Sequence, residues 1–193
     1  MSRCLYNSDF ATFLYTDSAS IYRILDDNYH GEALTTTRDA WKAEIDIMKN
    51  VISSLNSTDG QIIFEYDIPR LGKRIDVVLL FKGIVFCVEF KVGENKILEG
   101  DIDQVLDYAL DLKNFHKFSQ KNLIVPILIA TNYRDASTNI QMSVYDDRVV
   151  NPLVTGKAGI AKLIAEVLRR FPNETPVNPD WIISPYAPTP TII

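Results

Sequence analysis

The stretch that decides the fold is GKRIDVVLLFKGIVFCVEFKV, residues 72–92. It reads as two apolar strands joined at Lys82 and Gly83, interrupted by three charged residues, Asp76, Glu89 and Lys91. Charge inside a sheet is costly unless it is paired or bound to a metal. A two-residue hairpin loop at Lys82 and Gly83 sets Phe81 opposite Ile84. Counting back along both strands then puts Asp76 opposite Glu89 and Arg74 opposite Lys91. Side chains alternate between faces of a sheet, so Asp76, Val78 and Leu80 share a face with Val85, Cys87, Glu89 and Lys91. That face is apolar near the turn and charged away from it. Two carboxylates directly opposite destabilise a sheet, and a divalent cation between them reverses the sign of that interaction.

Working outward, residues 8–15 and 18–29 read as short helices. A longer helix is expected from 35–37 to about 55, with Trp41, Ile45, Met48, Ile52 and Leu55 at helical spacing. Residues 61–68 read as a strand, followed by a turn over 69–72. Beyond the hairpin, residues 99–118 read as a helix with acids in its first turns, where the helix dipole favours them. Residues 123–130 form a near-continuous apolar run and are expected as a buried strand, in which Pro126 implies an edge position or a bulge. Residues 141–150 suggest one or two weaker strands. Gly156 opens a helix carrying Ile160, Leu163, Ile164, Val167, Leu168 and Phe171.

The order predicts an α/β fold, a central mixed sheet with helices on both faces. Three segments are expected: a helical extension over 1–34, the α/β domain over 35–171, and a tail over 172–193. The tail's prolines, Pro172, Pro176, Pro179, Pro185, Pro188 and Pro190, suit a linker, and a linker implies a longer natural protein.

The chain has 193 residues, 47% hydrophobic and 23% charged, as expected of an ordinary globular domain. No apolar run approaches the roughly 20 residues that span a bilayer. The N-terminus lacks a signal-peptide core, and Cys4 and Cys87 form no CxxC pair, so a cytoplasmic location is expected. The formal net charge of −5 argues against a nucleic-acid coat protein but not against an enzyme acting on nucleic acid. Arg70, Lys73, Arg74, Lys82, Lys91 and Lys96 gather around the hairpin. No His/Cys set has zinc-ligand spacing, and no GxxxxGK[ST] phosphate loop is present.

An Asp in the second strand, Glu89-Phe90-Lys91 in the third, and helices on either side resemble the PD-(D/E)xK nuclease superfamily. Ile75 stands where that motif often has proline. Gln104 and Tyr108 form Q-x-x-x-Y on the next helix and resemble the RecB-like branch. Four residues apart, they share a helix face, expected to project away from the apolar side built by Ile102, Val105, Leu106 and Ala109. Glu44 lies beside the apolar stripe of the first long helix, where many members of the superfamily place an acid. The resemblance covers about residues 35–130. The segments around residues 65–94 and 101–116 are also similar to the N-terminal region of bacterial proteins that carry a helicase-like P-loop ATPase further on.

The resemblance implies a restriction-endonuclease-like fold with an αβββαβ core. It implies hydrolysis of phosphodiester bonds, most readily in DNA, with Mg²⁺ or Mn²⁺ as cofactor. Asp76, Glu89 and the backbone carbonyl of Phe90 are the implied metal ligands. Lys91 is implied to orient or deprotonate water or to stabilise developing charge, and Glu44 to support the metal. Gln104, Tyr108, Arg74 and Lys73 are the expected nucleic-acid contacts. The alternative is a non-catalytic module on the same fold that binds nucleic acid or a partner and positions a helicase-like ATPase.

Overall fold

The structure is a computed structural model that describes residues 3–31, 33–134, 140–172 and 174–188. A six-stranded mixed sheet runs β1 (Tyr6–Asp9), β2 (Gly60–Ile68), β3 (Lys73–Phe81), β4 (Ile84–Lys91), β5 (Leu123–Ala130) and β6 (Leu153–Thr155), in that spatial order. The first four strands are antiparallel neighbours; β4–β5 and β5–β6 are parallel. The helices are α1 (Phe10–Tyr15), α2 (Ser18–Asn28), α3 (Thr35–Ser54), α4 (Glu99–Phe115) and α5 (Ile160–Arg170). The fold is therefore α/β, a mixed sheet flanked by helices.

The hairpin register is the one counted from the sequence: Phe81 faces Ile84, and pairing continues to Val77 opposite Val88. Lys82 and Gly83 both have positive φ, 47° and 80°, as the tight two-residue hairpin turn requires. A side chain at Gly83 would collide with the backbone oxygen of Thr175, which crosses over the turn. Asn122 clamps the crossing by donating to both the Gly83 and Thr175 carbonyls.

Each face of the sheet carries its own core. On one, Ile62, Phe64, Val77, Leu79, Phe86 and Val88 pack with α1, α2, α3 and α5. On the other, Val78, Leu80, Val85 and Cys87 pack with Tyr108, Ala109 and Leu112 of α4 and with Trp181. This second set contains the four residues expected to seal the apolar end of the charged face.

Five readings are corrected. Residues 8 and 9, read as the start of a helix, instead end a strand over 6–9, which finds an edge to pair with on β2. Residues 1–34, read as an extension, thus contribute β1 to the sheet and Phe10, Phe13, Ile21 and Leu25 to the first core. The proline-rich segment, read as a linker, is anchored by fully buried Trp181, whose indole fills the second core; Pro190 lies outside the described residues. Pro126 sits in an interior strand with no bulge in its pairing to β4. Ile124 exchanges backbone bonds with Arg148 and Val150, which shows that even-numbered residues of β5 turn their backbone away from β4. Pro126 therefore points its donorless nitrogen toward the gap before β6 begins to pair at Ile127. Within 141–150, Val144 bridges Val150 and Val149 bridges Ile124 of β5, and the strand itself lies further on, at β6.

Candidate functional site

The alternation of faces breaks at one place, and the candidate site is built there. Tyr66 and Ile75 face each other across β2 and β3 and pack in the second core. Strict alternation from Phe64 and Val77 would send both to the first core. The residues between, Glu65 and Asp76, mark the reversal. Glu65 has φ 55°, a left-handed conformation uncommon for a non-glycine residue within a strand. The β3–β4 ladder stops at Val77 opposite Val88, and Asp76 fills the opening beyond it. The Asp76 carboxyl shares a hydrogen bond with Glu89 beyond the end of the ladder, and its Oδ2 accepts the Phe90 N–H at 2.7 Å.

Four carboxylates converge on this opening. Glu44 comes from α3, on the side of the first core; it is 3% exposed, and its Oε2 has no partner. Burial, then the charges of Glu65 and Glu89, push it up to about 8. Asp76 is raised well above the usual carboxylate range by burial, then by Glu89, Glu44 and Glu65; the Phe90 N–H opposes the shift. Glu89 is 4% exposed and also raised by burial, against the pull of Lys91. Its Oε1 accepts from Lys91 Nζ at 3.0 Å and from Gln104 Nε2 at 2.9 Å, and its Oε2 has no partner. Glu65 is raised by burial too, offset by its bonds to Trp41 and Arg74.

From the opposite face, α4 supplies the polar frame. Lys91 donates to Gln104 Oε1 at 3.1 Å and lies 3.4 Å from Asp101. Burial alone would lower the Lys91 pKa; the Glu89 and Asp101 carboxylates outweigh it and hold the ammonium above its usual value. Gln104 Nε2 also donates to the Tyr108 hydroxyl at 2.6 Å. The expectation that Tyr108 projects away from the apolar side is corrected. Its ring is buried in the second core beside Ala109, and only the hydroxyl reaches Gln104. A tyrosine is long enough to join the apolar layer and still deliver its polar tip.

The structure thus gathers Glu44, Asp76, Glu89, Lys91, Gln104 and Tyr108. Arg74 stands at the margin, 3.6 Å from Glu65, and Lys73 is exposed beside it. Sequence reasoning missed Glu65 and Asp101. Asp101 lies three residues before Gln104, a spacing that places both on one helix face. The register that sets Glu65 beside Asp76 runs through the turn over 69–72, whose length fixes no unique pairing.

Among the described residues, no group of three or more His, Cys, Asp or Glu side chains is arranged to hold a metal ion. Protein donors engage one oxygen each of Asp76 and Glu89 instead. The donor chemistry nevertheless fits a hard divalent cation: all candidates are oxygens, and the buried Oε2 atoms of Glu44 and Glu89 lack partners. The Phe90 carbonyl is favourably turned. Lys91 presents its own carbonyl to Thr131 on the β5 side, so alternation directs that of Phe90 toward Asp76.

No helix among the described residues is long and apolar enough to cross a membrane. The chain matches no protein-family model, no curated protein and no solved structure.

Proposed function

We propose that the chain is a metal-dependent nuclease domain of the PD-(D/E)xK type on a restriction-endonuclease-like fold, hydrolysing phosphodiester bonds in DNA. One observation carries this reading: two buried, unpartnered carboxylate oxygens lie in an acidic opening beside Lys91, which Glu89, Gln104 and Asp101 lock in place. Leaving buried carboxylate oxygens unpaired costs stability, so an external ligand is the economical account of them. The element order supports the fold: a helix, three antiparallel strands, a helix and a parallel strand.

Asp76, Glu89 and the Phe90 carbonyl would hold Mg²⁺ or Mn²⁺, with Glu44 behind them. When bound, such an ion supplies charge neutralisation at a phosphate and a more acidic water. Lys91 stays cationic beside Glu89 and Asp101, which favours stabilising developing negative charge over taking a proton. Glu89 and Gln104 fix the Lys91 ammonium, and Tyr108 fixes Gln104. Lys73 and Arg74 extend positive charge along the margin for the strand's phosphates.

The test is cleavage of plasmid and single-stranded DNA with Mn²⁺, comparing wild type with Lys91→Ala. Cleavage by wild type and its loss in the variant support the reading; no cleavage by wild type sinks it.

The second reading is a non-catalytic module that binds nucleic acid or positions a helicase-like ATPase of a longer natural protein. It is favoured by the protein donors that engage Asp76 and Glu89. DNA binding without cleavage in Mn²⁺, unaffected by Asp76→Ala, supports this reading over the first.

A further inference from the structure

Glu65 is the acid of the opening that its neighbours keep fully occupied. Its Oε1 accepts from Trp41 Nε1 at 2.9 Å, and its Oε2 lies 3.6 Å from the Arg74 guanidinium. Trp41 meets Tyr29 edge-to-face at 5.5 Å between ring centroids, and the guanidinium of Arg74 lies over the Tyr29 ring at 5.2 Å. Four residues from the end of α2, from α3, β2 and β3 therefore close a ring. Its most exposed charged member is Arg74, whose side chain is 36% exposed against 12% for Glu65.

A guanidinium has five donors in a rigid fork, and a single long ion pair engages only part of that capacity. The aromatic ring on one side and the carboxylate on the other restrict its rotamers, so little entropy remains to be lost on binding an anion. The backbone supports the arrangement at a cost. A left-handed non-glycine residue within a strand stores strain, and here it swings Glu65 toward Trp41 and Arg74.

We propose that Glu65 is a positioning residue that presents Arg74 to a phosphate of the bound strand, next to the acidic opening. The inference rests on the nucleic-acid reading above and adds the residue that aims the arm. It also makes a prediction of unexpected sign. Deleting a negative charge beside a polyanion strengthens binding on electrostatic grounds alone. If Glu65 aims Arg74, Glu65→Gln weakens binding instead, although glutamine retains an oxygen for Trp41.

The experiment is a titration of a labelled single-stranded oligonucleotide in EDTA across a range of salt concentrations, with melting curves in the same buffers. Glu65→Gln and Arg74→Ala are each expected to weaken binding about tenfold and to flatten the salt dependence by about 0.7 in logarithmic slope, the loss of one phosphate contact. Arg74→Lys is expected to keep the slope but not the affinity, because a point charge replaces the fork. Unchanged or tighter binding by Glu65→Gln overturns the proposal, as does a lower melting temperature with an unchanged slope. Unchanged binding by Arg74→Ala overturns it also, and that half-exposed position keeps the test open if Glu65→Gln fails to fold. Wild type that binds no oligonucleotide overturns the nucleic-acid reading as well, which separates the two failures.

Discussion

Two of the buried polar clusters among the described residues are built on opposite rules. In the second core, His116, Ser119 and Trp181 form a closed triangle. Trp181 Nε1 donates to Ser119 Oγ at 2.8 Å, Ser119 Oγ meets His116 Nδ1 at 2.8 Å, and His116 Nε2 meets the Trp181 carbonyl at 3.0 Å. The Trp181 carbonyl requires a proton on His116 Nε2, and burial keeps the ring neutral, so Ser119 donates to Nδ1. At the other cluster, four acids are crowded together, and buried oxygens of Glu44 and Glu89 have no partner. Near the triangle, Asp111 shares a hydrogen bond with the Tyr186 hydroxyl and meets Arg70, and Arg3 bonds the Tyr66 hydroxyl. A polar cluster that closes on itself stabilises the fold. One that leaves buried carboxylate oxygens open has the donor chemistry for the cation proposed above.

The largest expected effect tests the closed cluster. Trp181→Ala should cost about 3–5 kcal/mol in denaturant unfolding, by cavity formation and loss of the indole donor. Cleavage per folded molecule should stay at the wild-type level; a selective loss of cleavage would break the division between the clusters.

Next comes the open cluster. Lys91→Ala should lower the cleavage rate by about 10²–10³-fold, the scale of losing one fixed stabiliser of transition-state charge. Its melting temperature should fall as well, since buried Glu89 loses its counter-charge, so the rate is compared per folded molecule.

Ligand linkage sharpens the contrast further. Mn²⁺ at 100 times its dissociation constant should stabilise wild type by about 2.7 kcal/mol, read by thermal melting. Asp76→Asn should abolish that gain, whereas His116→Gln, although destabilised, should keep it.

The smallest effects are pH slopes of opposite sign in the metal-free protein, each at most about 1.4 kcal/mol per pH unit for one group. Burial lowers His116 from 6.5 to about 3, so its contribution to stability is complete above pH 6.5 and is lost as pH falls toward 3. Glu44 is raised from 4.5 to about 8, so its contribution is complete below pH 4.5 and is lost as pH rises through 8. Unfolding curves between pH 5 and 8, a range set by these two shifts, should flatten at the alkaline side in Glu44→Gln and at the acid side in His116→Gln.

Much of the open cluster was legible because local rules govern it. A two-residue turn fixes the hairpin register, and that register brings Asp76 and Glu89 to one end. Helical spacing then delivers Gln104 and Tyr108. The closed cluster was not legible, because His116 and Trp181 are 65 residues apart and the proline-rich composition around Trp181 reads as extended chain.

By itself the sequence determined the hairpin, its register, the long helices α3 and α4, and the buried strand β5. In each, the pattern of apolar residues and the turn chemistry act over a few neighbouring positions. Only the tertiary structure decided the rest. β1 and β6 are too short to declare themselves and exist because a sheet edge is there to pair with. Pro126 is tolerated inside the sheet because its missing donor falls in a gap. Glu65 enters the acidic opening because two paired strands reverse their faces at the same point, and Trp41 and Arg74, from separate elements, hold it there. That contact depends on the balance between local backbone strain and long-range bonds, which no single segment of the chain contains.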